Sequence, residues 1–506
     1  MGSTWSDSIK VEKVDRKVKS IWERRGYIAR QEKTEIGSNF NCWRTPVSEF
    51  SSNESILRES FQQNEITKEL WQKTCGVVDE IAKLFQQNVQ RVSSLRYPCL
   101  SFGNFVKQGS SREGLKIRQP DEFDMVLPFT IKGIDIHTVP ALDNDGEPIP
   151  ALVNLQISDY GQIQNIINCT QYKSLNRDGV FEEHGAHLIL SAMCFQTKVI
   201  TSIMDTTISE IQKSIDARIM KERCSFNLSK ASVYPPTYRF KILMKSVVHF
   251  DDLSYAKDLL TQLESRTPVW RQESKVIEFD IVPALLLQSD RVPNPDSWCS
   301  MKCERYAVMK WVHKERYADD YPDPNLLWKE STCGYEKHII DVSCRKRDFR
   351  YIITACRIMK AYLDGSSNSS QLSSLLSTYH LKNIAIHCIL LRLRVSGVKE
   401  ALGYFMAFLE ISLQEEFLPH FFYGNPHICT MFPNLSSNAT QKRLNLFNNI
   451  PQDHFHQAFL SFRRMQKDLR GLVTEYCYLN SQQCFESFRE LCCLYGERST
   501  SMCMVM

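Results

Sequence analysis

The chain has 506 residues, 43% of them hydrophobic and 24% charged, with 62 Lys and Arg against 58 Asp and Glu for a formal charge of +4. This is globular composition, with enough chain for two or three domains and a large core. It excludes a disordered polyelectrolyte, and the near balance of charge means that any basic surface must be local. No run approaches the roughly 20 apolar residues of a membrane helix. The 18 cysteines follow no repeated spacing, and the first twenty residues are polar, with Lys10, Lys13, Arg16, Lys17 and Lys19. The expectation is therefore of reduced thiols in a cytoplasmic protein.

Residues 9–25 place Val11, Val14, Val18, Ile21 and Trp22 at helical spacing among basic neighbours. That pattern suits a solvated helix on the body of the protein, a basic arm for RNA or a surface for anionic lipid. Residues 34–62, rich in Ser and Asn with one Gly and one Pro, read as a linker. A long amphipathic helix follows, in which Ile66, Leu70, Val77, Val78, Ile81, Leu84, Phe85 and Val89 trace one face.

From about 100 to 310, short alternating segments separated by turns such as Asp143-Asn144-Asp145-Gly146 predict strands, among them Glu122–Phe129 and Val276–Leu287. Helical stretches such as Val199–Ala217 intervene, so this half is α/β or α+β. Beyond about 330 the pattern is almost purely helical, as in Arg350–Leu363, His380–Leu393 and Phe455–Leu472, and no internal repeat is present.

Three elements carry chemistry. In Gln108-Gly109-Ser110-Ser111 the glycine lets a backbone approach phosphates, and the serine hydroxyl with nearby N–H groups can donate to their oxygens; alone, such a turn is commonplace. In Glu122-Phe123-Asp124-Met125 the pleat puts both carboxylates on one face and both apolar side chains on the other. Paired carboxylates repel unless a cation lies between them, and two divalent ions are the usual solution in nucleotidyl transfer. In Ile277-Glu278-Phe279-Asp280-Ile281 a second acidic face alternates with apolar residues, and a metal shared with Glu122 and Asp124 would give Asp280 a partner. Asp280, or failing it Glu278, could also take the proton from an attacking hydroxyl.

Gly-Ser, then Glu-Phe-Asp, then a distant Phe-Asp-Ile-Val-Pro-Ala strand resemble the cyclic GMP–AMP synthase family, and in particular the cGAS-like receptors of the male-abnormal-21 superfamily. Tyr306–Lys310, Trp328-Lys329-Glu330-Ser331, Cys344–Asp348, Met359-Lys360 and Ser377–Lys382 extend the resemblance over about 65–400. It implies an α+β fold of two lobes, a mixed β-sheet catalytic lobe and a helical C-terminal lobe. The expected units are a basic segment and linker over 1–62, a nucleotidyltransferase core with a long spine helix over 63–325, a helical lobe over 326–496 and a tail over 497–506.

The resemblance assigns Mg²⁺ or Mn²⁺ to Glu122, Asp124 and Asp280, and the ATP and GTP substrates to Gly109, Ser110, Lys329, Lys360, Thr378 and Tyr379, with Tyr379 stacking on a base. It implies a cyclic dinucleotide synthase that senses a ligand in innate immunity and antiviral defence, acting as a homodimer on that ligand. The family's zinc ribbon has no counterpart, since Thr332–Ser343 offers only Cys333 and His338 with Cys344 just after, so no structural zinc is expected. Double-stranded RNA then becomes the expected ligand in place of DNA, held through Arg345, Lys346, Arg347 and Arg350, with Arg357 and Lys360 adding charge. Lys329 stands where the family has Arg, which removes a two-pronged contact. Two alternatives remain open: a non-catalytic scaffold of the same superfamily, and a synthase of linear 2′-5′ oligonucleotides.

Met1-Gly2-Ser3-Thr4-Trp5-Ser6 fits a myristoylation pattern at Gly2, and Cys503-Met504-Val505-Met506 a farnesylation box at Cys503. Two such signals with the basic segment would meet the requirement for stable membrane anchoring. Cys503→Ser is then expected to shift the protein from the membrane to the soluble fraction on cell fractionation, and an unchanged distribution removes the prenyl reading.

Overall fold

The computed structural model describes residues 58–59, 62, 66, 68–117, 121–216, 224–230, 237–244, 275–287, 290–292, 301–309, 323–343, 346–365, 370–391, 393, 395–432, 435, 443–448, 450–469, 488 and 491–492. The basic segment 9–25, most of the 34–62 linker, Gly2, Arg345 and Cys503 lie outside them.

The spine helix α1 runs from Lys68 to Arg96. Val78, Ile81, Phe85 and Val89, at the predicted spacing, are buried, and Phe85 meets Phe240 edge-on at 5.2 Å. Then come β1 (Leu100–Phe102), β2 (Val106–Gln108), the single-turn helix α2 (Gly109–Arg112) and β3 (Glu122–Ile131). A β4–β5 pair (His137–Leu142, Pro148–Ile157) closes through the predicted turn, where Gly146 has φ +82° and the Asp143 carboxylate accepts from the N–H groups of Asp145 and Glu147. Helices α3 (Tyr160–Asn168) and α4 (Lys173–Arg177) lead to β6 (Phe181–His184) and β7 (His187–Leu190). The helix expected from Val199 begins earlier, through a π-helical turn Phe195–Ile200 into α5 (Thr201–Asp216).

Strands β8 (Cys224–Lys230), β9 (Tyr238–Met244) and β10 (Lys275–Leu286) follow, then the short β11 (Asp290–Val292), β12 (Met301–Cys303), β13 (Tyr306–Val308) and β14 (Trp328–Ser331). The main sheet runs β1-β3-β10-β13-β14-β5-β7-β6, with β2 on β3, β4 on β5 and the β8–β9 hairpin on β10. Among the described ladders only β3–β10 is parallel, with Glu122 opposite Glu278 and Asp124 opposite Asp280. Phe123, Met125, Leu127, Phe129, Phe279 and Ile281 fill the core beneath α1 and α5, so the carboxylates necessarily take the other face. The sheet continues past the lobe boundary expected at 325: β14 pairs with β13 and β5, and the buried Trp328 indole donates to the Leu190 carbonyl at 2.8 Å.

The second lobe is helical: α6 (Cys333–Ser343), α7 (Arg347–Gly365), α8 (Ser370–Leu375), α9 (Thr378–Leu390), α10 (Val398–Gln414) and α11 (Gln452–Leu469). Its centre is α9, buried on every side from Leu381 to Leu390, with Lys382, Asn383 and His387 the polar members of an otherwise apolar run. Ser377 caps α9, its hydroxyl accepting from the His380 N–H while the His380 ring accepts from the Ser377 N–H. Leu115 and Ala151 of the sheet lobe pack into this helical core, so the two cores meet.

At that meeting point three charged groups are buried together. The Lys382 ammonium of α9 sits 3.0 Å from the Glu113 carboxylate, just past α2, and hydrogen-bonds Glu336 of α6. Thr332 Oγ1 and Tyr379 Oη donate to the other Glu336 oxygen at 3.1 and 3.3 Å. Burial acts to lower Lys382, but Glu113 and Glu336 outweigh it and hold it well above the ordinary lysine value. One lysine cannot satisfy two buried carboxylates: burial pushes Glu113 up to about 7, Lys382 pulls it down, and Glu336 and Asp124 add to the rise.

A carboxyl raised on folding binds its proton more tightly in the folded than in the unfolded chain, so it withdraws stability as pH rises from its ordinary value through the folded one. The unfolding midpoint of the wild type is therefore expected to fall relative to Glu113→Gln between about pH 5 and about pH 8. A constant difference across that range would exclude titration of Glu113 at the junction.

Candidate active site

The site grows out of the parallel β3–β10 register. Ligand oxygens of Glu122, Asp124 and Asp280 all lie within 4.8 Å of one another. Glu122 and Asp124 are half-buried and Asp280 is 6% exposed. Carboxylates at this separation repel strongly in a poorly solvated place, and cations on neighbouring elements answer most of that charge. Lys116 Nζ lies 2.8 Å from Asp121 and 3.1 Å from Glu122; burial acts against its charge, but the two carboxylates raise it overall. Across the β9–β10 ladder, Arg239 faces Asp280 and Lys241 faces Glu278. Arg239 donates from Nε to Asp280 Oδ1 at 2.9 Å and from Nη2 to Oδ2 at 2.8 Å, and Lys241 Nζ is 2.9 Å from Glu278.

Asp124 differs from the others. Among the described residues its carboxylate has neither a hydrogen-bond donor nor an ion-pair partner. Burial, then Glu122 and Asp280, push it up to about 6 against the pull of Lys116 and Lys382. An acidic oxygen crowded by two others and lacking a donor suits a cation, and the all-oxygen donor set suits Mg²⁺ or Mn²⁺.

Gly109 is where the turn meets the acids. It has φ +72°, and a Cβ there would lie 1.9 Å from Asp124 Oδ2. Only glycine allows both the left-handed backbone and this approach. Ser110 beside it is buried, and its carbonyl accepts from the N–H groups of Leu115 and Lys116, which folds the turn back over β3.

The remaining expected residues divide by position. Lys360 of α7 is half-buried, and burial lowers it, with Lys116 repelling it and Asp364, Cys356 and Glu122 opposing. Lys329 is half-buried on β14 opposite Val308 and Leu152. Thr378 and Tyr379 open α9. The Tyr379 hydroxyl lies 2.8 Å from His420 Nε2, and Lys382 Nζ sits 5.1 Å from the centre of its ring, so one face already meets a cation.

Of the basic group, Lys346 and Arg347 are exposed, lying over Phe349 and Tyr351, and Arg350 is half-buried. Arg357, grouped with them by spacing, is 3% exposed and does not belong to an outer surface.

Sequence reading missed the cations inside the site. Lys116 lies six residues before Glu122, and Tyr238-Arg239-Phe240-Lys241 alternates as a strand should. The second signal was available in the pattern, but its pairing with β10 was not. Glu113, Glu336 and Lys382 were also missed, since buried charge at a junction leaves no periodic trace.

Gly109→Ala is expected to cost about 1–3 kcal/mol from the left-handed backbone alone, with a further loss as the methyl displaces the Asp124 carboxylate. A chemical denaturation midpoint equal to that of the wild type would show that the approach is relaxed.

Residues 111–341, just under half of the chain, match the Mab-21 protein nucleotidyltransferase domain. The chain is 26% identical over 161 residues to the inositol 1,4,5-trisphosphate receptor-interacting protein of Homo sapiens, covering 31% of this chain and 29% of that one. The Bos taurus protein of that name is 27% identical over 155 residues, covering 29% and 28%. The match thus spans less than a third of the length of these curated relatives. Among solved structures, CdnC in the E. coli MS115-1 CdnC:HORMA-deltaN complex aligns with a TM-score of 0.38 and 11% identity over 87% of this chain and 98% of that one. The Elizabethkingia meningoseptica CdnE cyclic dinucleotide synthase with GTP and Apcpp aligns at 0.32 and 9% over 76% and 90%. The three carboxylates of the acidic sheet face thus lie within the stretch that matches the Mab-21 protein nucleotidyltransferase domain.

Proposed function

We propose that this protein is a metal-dependent nucleotidyltransferase that makes a cyclic dinucleotide from nucleoside triphosphates of the ATP and GTP class when it senses double-stranded RNA. The observation that carries the reading is the crowding of Glu122, Asp124 and Asp280 within 4.8 Å with Asp124 left without a donor. These three would hold Mg²⁺ or Mn²⁺, which when bound supplies charge for the attacking and leaving oxygens of phosphoryl transfer. Gly109 and Ser110 present the tight turn beside Asp124 to a triphosphate. Lys360 would meet phosphate charge, with Thr378 as a hydroxyl donor and Tyr379 as an aromatic surface for a base. Lys329 would serve as a point charge without the fork of an arginine.

Lys346 and Arg347 are the exposed cations that support RNA binding by phosphate contact, and Arg345 and Arg350 extend the same segment. Dimerisation on RNA and lipidation at Gly2 and Cys503 complete the proposal as sequence-based expectations. No helix of the described residues is long and apolar enough to cross a membrane.

A second reading is a non-catalytic protein that binds another protein. It is favoured by the curated relatives' name as receptor-interacting proteins and by Arg239, which already occupies both oxygens of Asp280. Synthesis of a linear 2′-5′ oligonucleotide is the third, separated from the first by its product.

Purified protein with the four ribonucleoside triphosphates and Mn²⁺ is expected to form a cyclic dinucleotide, read by mass spectrometry, that depends on added double-stranded RNA. Asp124→Asn removes that product while leaving the unfolding midpoint in EDTA equal to or above the wild type, because it deletes a repelled charge and keeps the volume. A linear product supports the third reading. Undiminished product in Asp124→Asn would refute the metal assignment.

A further inference from the structure

The bidentate grip of Arg239 on Asp280 has a consequence for ion binding. Directly opposed residues of an antiparallel pair share a face, so β9 puts Arg239 and Lys241 on the acidic side of the sheet. The two resulting pairs are unequal. Lys241 meets Glu278, which lies outside the triad, at one oxygen. Arg239 meets both oxygens of Asp280, at 2.9 and 2.8 Å, and its Nη1 is 3.4 Å from Glu278. Two parallel N–H···O bonds to one carboxylate form the strongest ordinary ion-pair geometry, and partial burial strengthens them: the Asp280 side chain is 9% exposed. The Arg239 side chain is 38% exposed, so the guanidinium has solvent into which it can withdraw.

Lys116, Arg239 and Lys241 stand against Asp121, Glu122, Asp124, Glu278 and Asp280. The deficit falls at Asp124, beside Gly109, at the end of the cluster remote from the Arg239 fork. A divalent ion between Glu122 and Asp124 meets no resident cation in direct contact with Asp124. An ion that also takes Asp280 meets a guanidinium already on both of its oxygens.

We propose that Arg239 is the resident counter-cation of Asp280 and competes with the divalent ion for it, so that binding of the ion to all three carboxylates displaces the guanidinium. Arg239 is in this sense a positioning residue that sets ion affinity. It holds Asp280 in place before the ion arrives and weakens the ion's hold afterwards. The inference rests on the metal reading above and adds to it which group the ion must move.

Isothermal titration of the full chain with Mn²⁺ tests this. Arg239→Gln is expected to bind Mn²⁺ about tenfold more tightly or better, a change of about 1.4 kcal/mol, and to unfold at a lower temperature in EDTA, with Mn²⁺ restoring the midpoint. Lys241→Gln removes the same charge one pleat away without touching Asp280 and is expected to move the affinity by less than about threefold. Arg239→Lys keeps the charge but loses the fork; it gives a smaller rise and serves if Arg239→Gln does not fold.

Equal Mn²⁺ affinity in wild type and both Arg239 variants overturns the competition and leaves the metal reading standing. An equal rise in Lys241→Gln replaces competition by a general charge effect and overturns it as well. No Mn²⁺ binding by any of the proteins removes the metal reading and the inference together.

Discussion

The parallel pairing of β3 with β10 is the constraint on which the rest of this site depends. It aligns Asp124 with Asp280 and Glu122 with Glu278, across strands that lie about 4.8 Å apart. Two full charges at that spacing repel by about 3–4 kcal/mol at an effective dielectric constant near 20, less for the more exposed Glu122. Domain stability is about 5–15 kcal/mol, so four such carboxylates on one face need cations. The fold supplies them from both sides: Lys116 ahead of β3, and Arg239 and Lys241 from β9. The apolar half of each strand makes the arrangement tolerable, because reversing the face would expose Phe123, Met125 and Phe279 and bury the acids.

The lobes are tied by a related device. Glu113 lies four residues beyond Gly109, and Lys382 lies one helical turn beyond Thr378 and Tyr379. Their buried pair therefore links the turn beside Asp124 to the helix end proposed to meet the nucleotide. A buried ion pair contributes little net stability compared with apolar packing, but it tolerates few arrangements. Leu115 and Ala151 provide the apolar contact at the same place. Apolar packing holds the lobes together, and Lys382 with Glu113 and Glu336 fixes how they face each other.

Much of this architecture was legible in the sequence because periodicity reports burial. The spine helix, both acidic strands, the Gly146 turn and the principal helices of the second lobe follow from repeats of apolar residues and from turn chemistry. Glu122 and Asp124 could be read as neighbours because one strand carries both. Their approach to Asp280 rested on resemblance, since 155 residues separate Asp124 from Asp280 and no local rule pairs the strands. The placement of β14 in the sheet was hidden because four residues bounded by helix carry too little alternation to show a strand. Arg357 misled for a different reason: charge in a helical sequence says nothing about which side faces inward when the helix packs on several faces. Arg239 and Lys382 were invisible as site residues because each acquires its meaning from a partner far along the chain.

The same interactions bear on whether the site works or is vestigial. Arg239 on Asp280 satisfies a carboxylate that would otherwise be costly, which a purely structural sheet would also need. Asp124 cannot be explained that way. It is half-buried, crowded by two carboxylates and raised to about 6, and it is approached by a backbone that only glycine permits. An asparagine there would relieve the repulsion and keep the volume. A scaffold gains nothing from that cost, whereas a site that binds a divalent ion recovers it when the ion arrives. The balance between the two readings therefore lies at Asp124 more than at Asp280, in the carboxylate to which the fold gives no cation of its own.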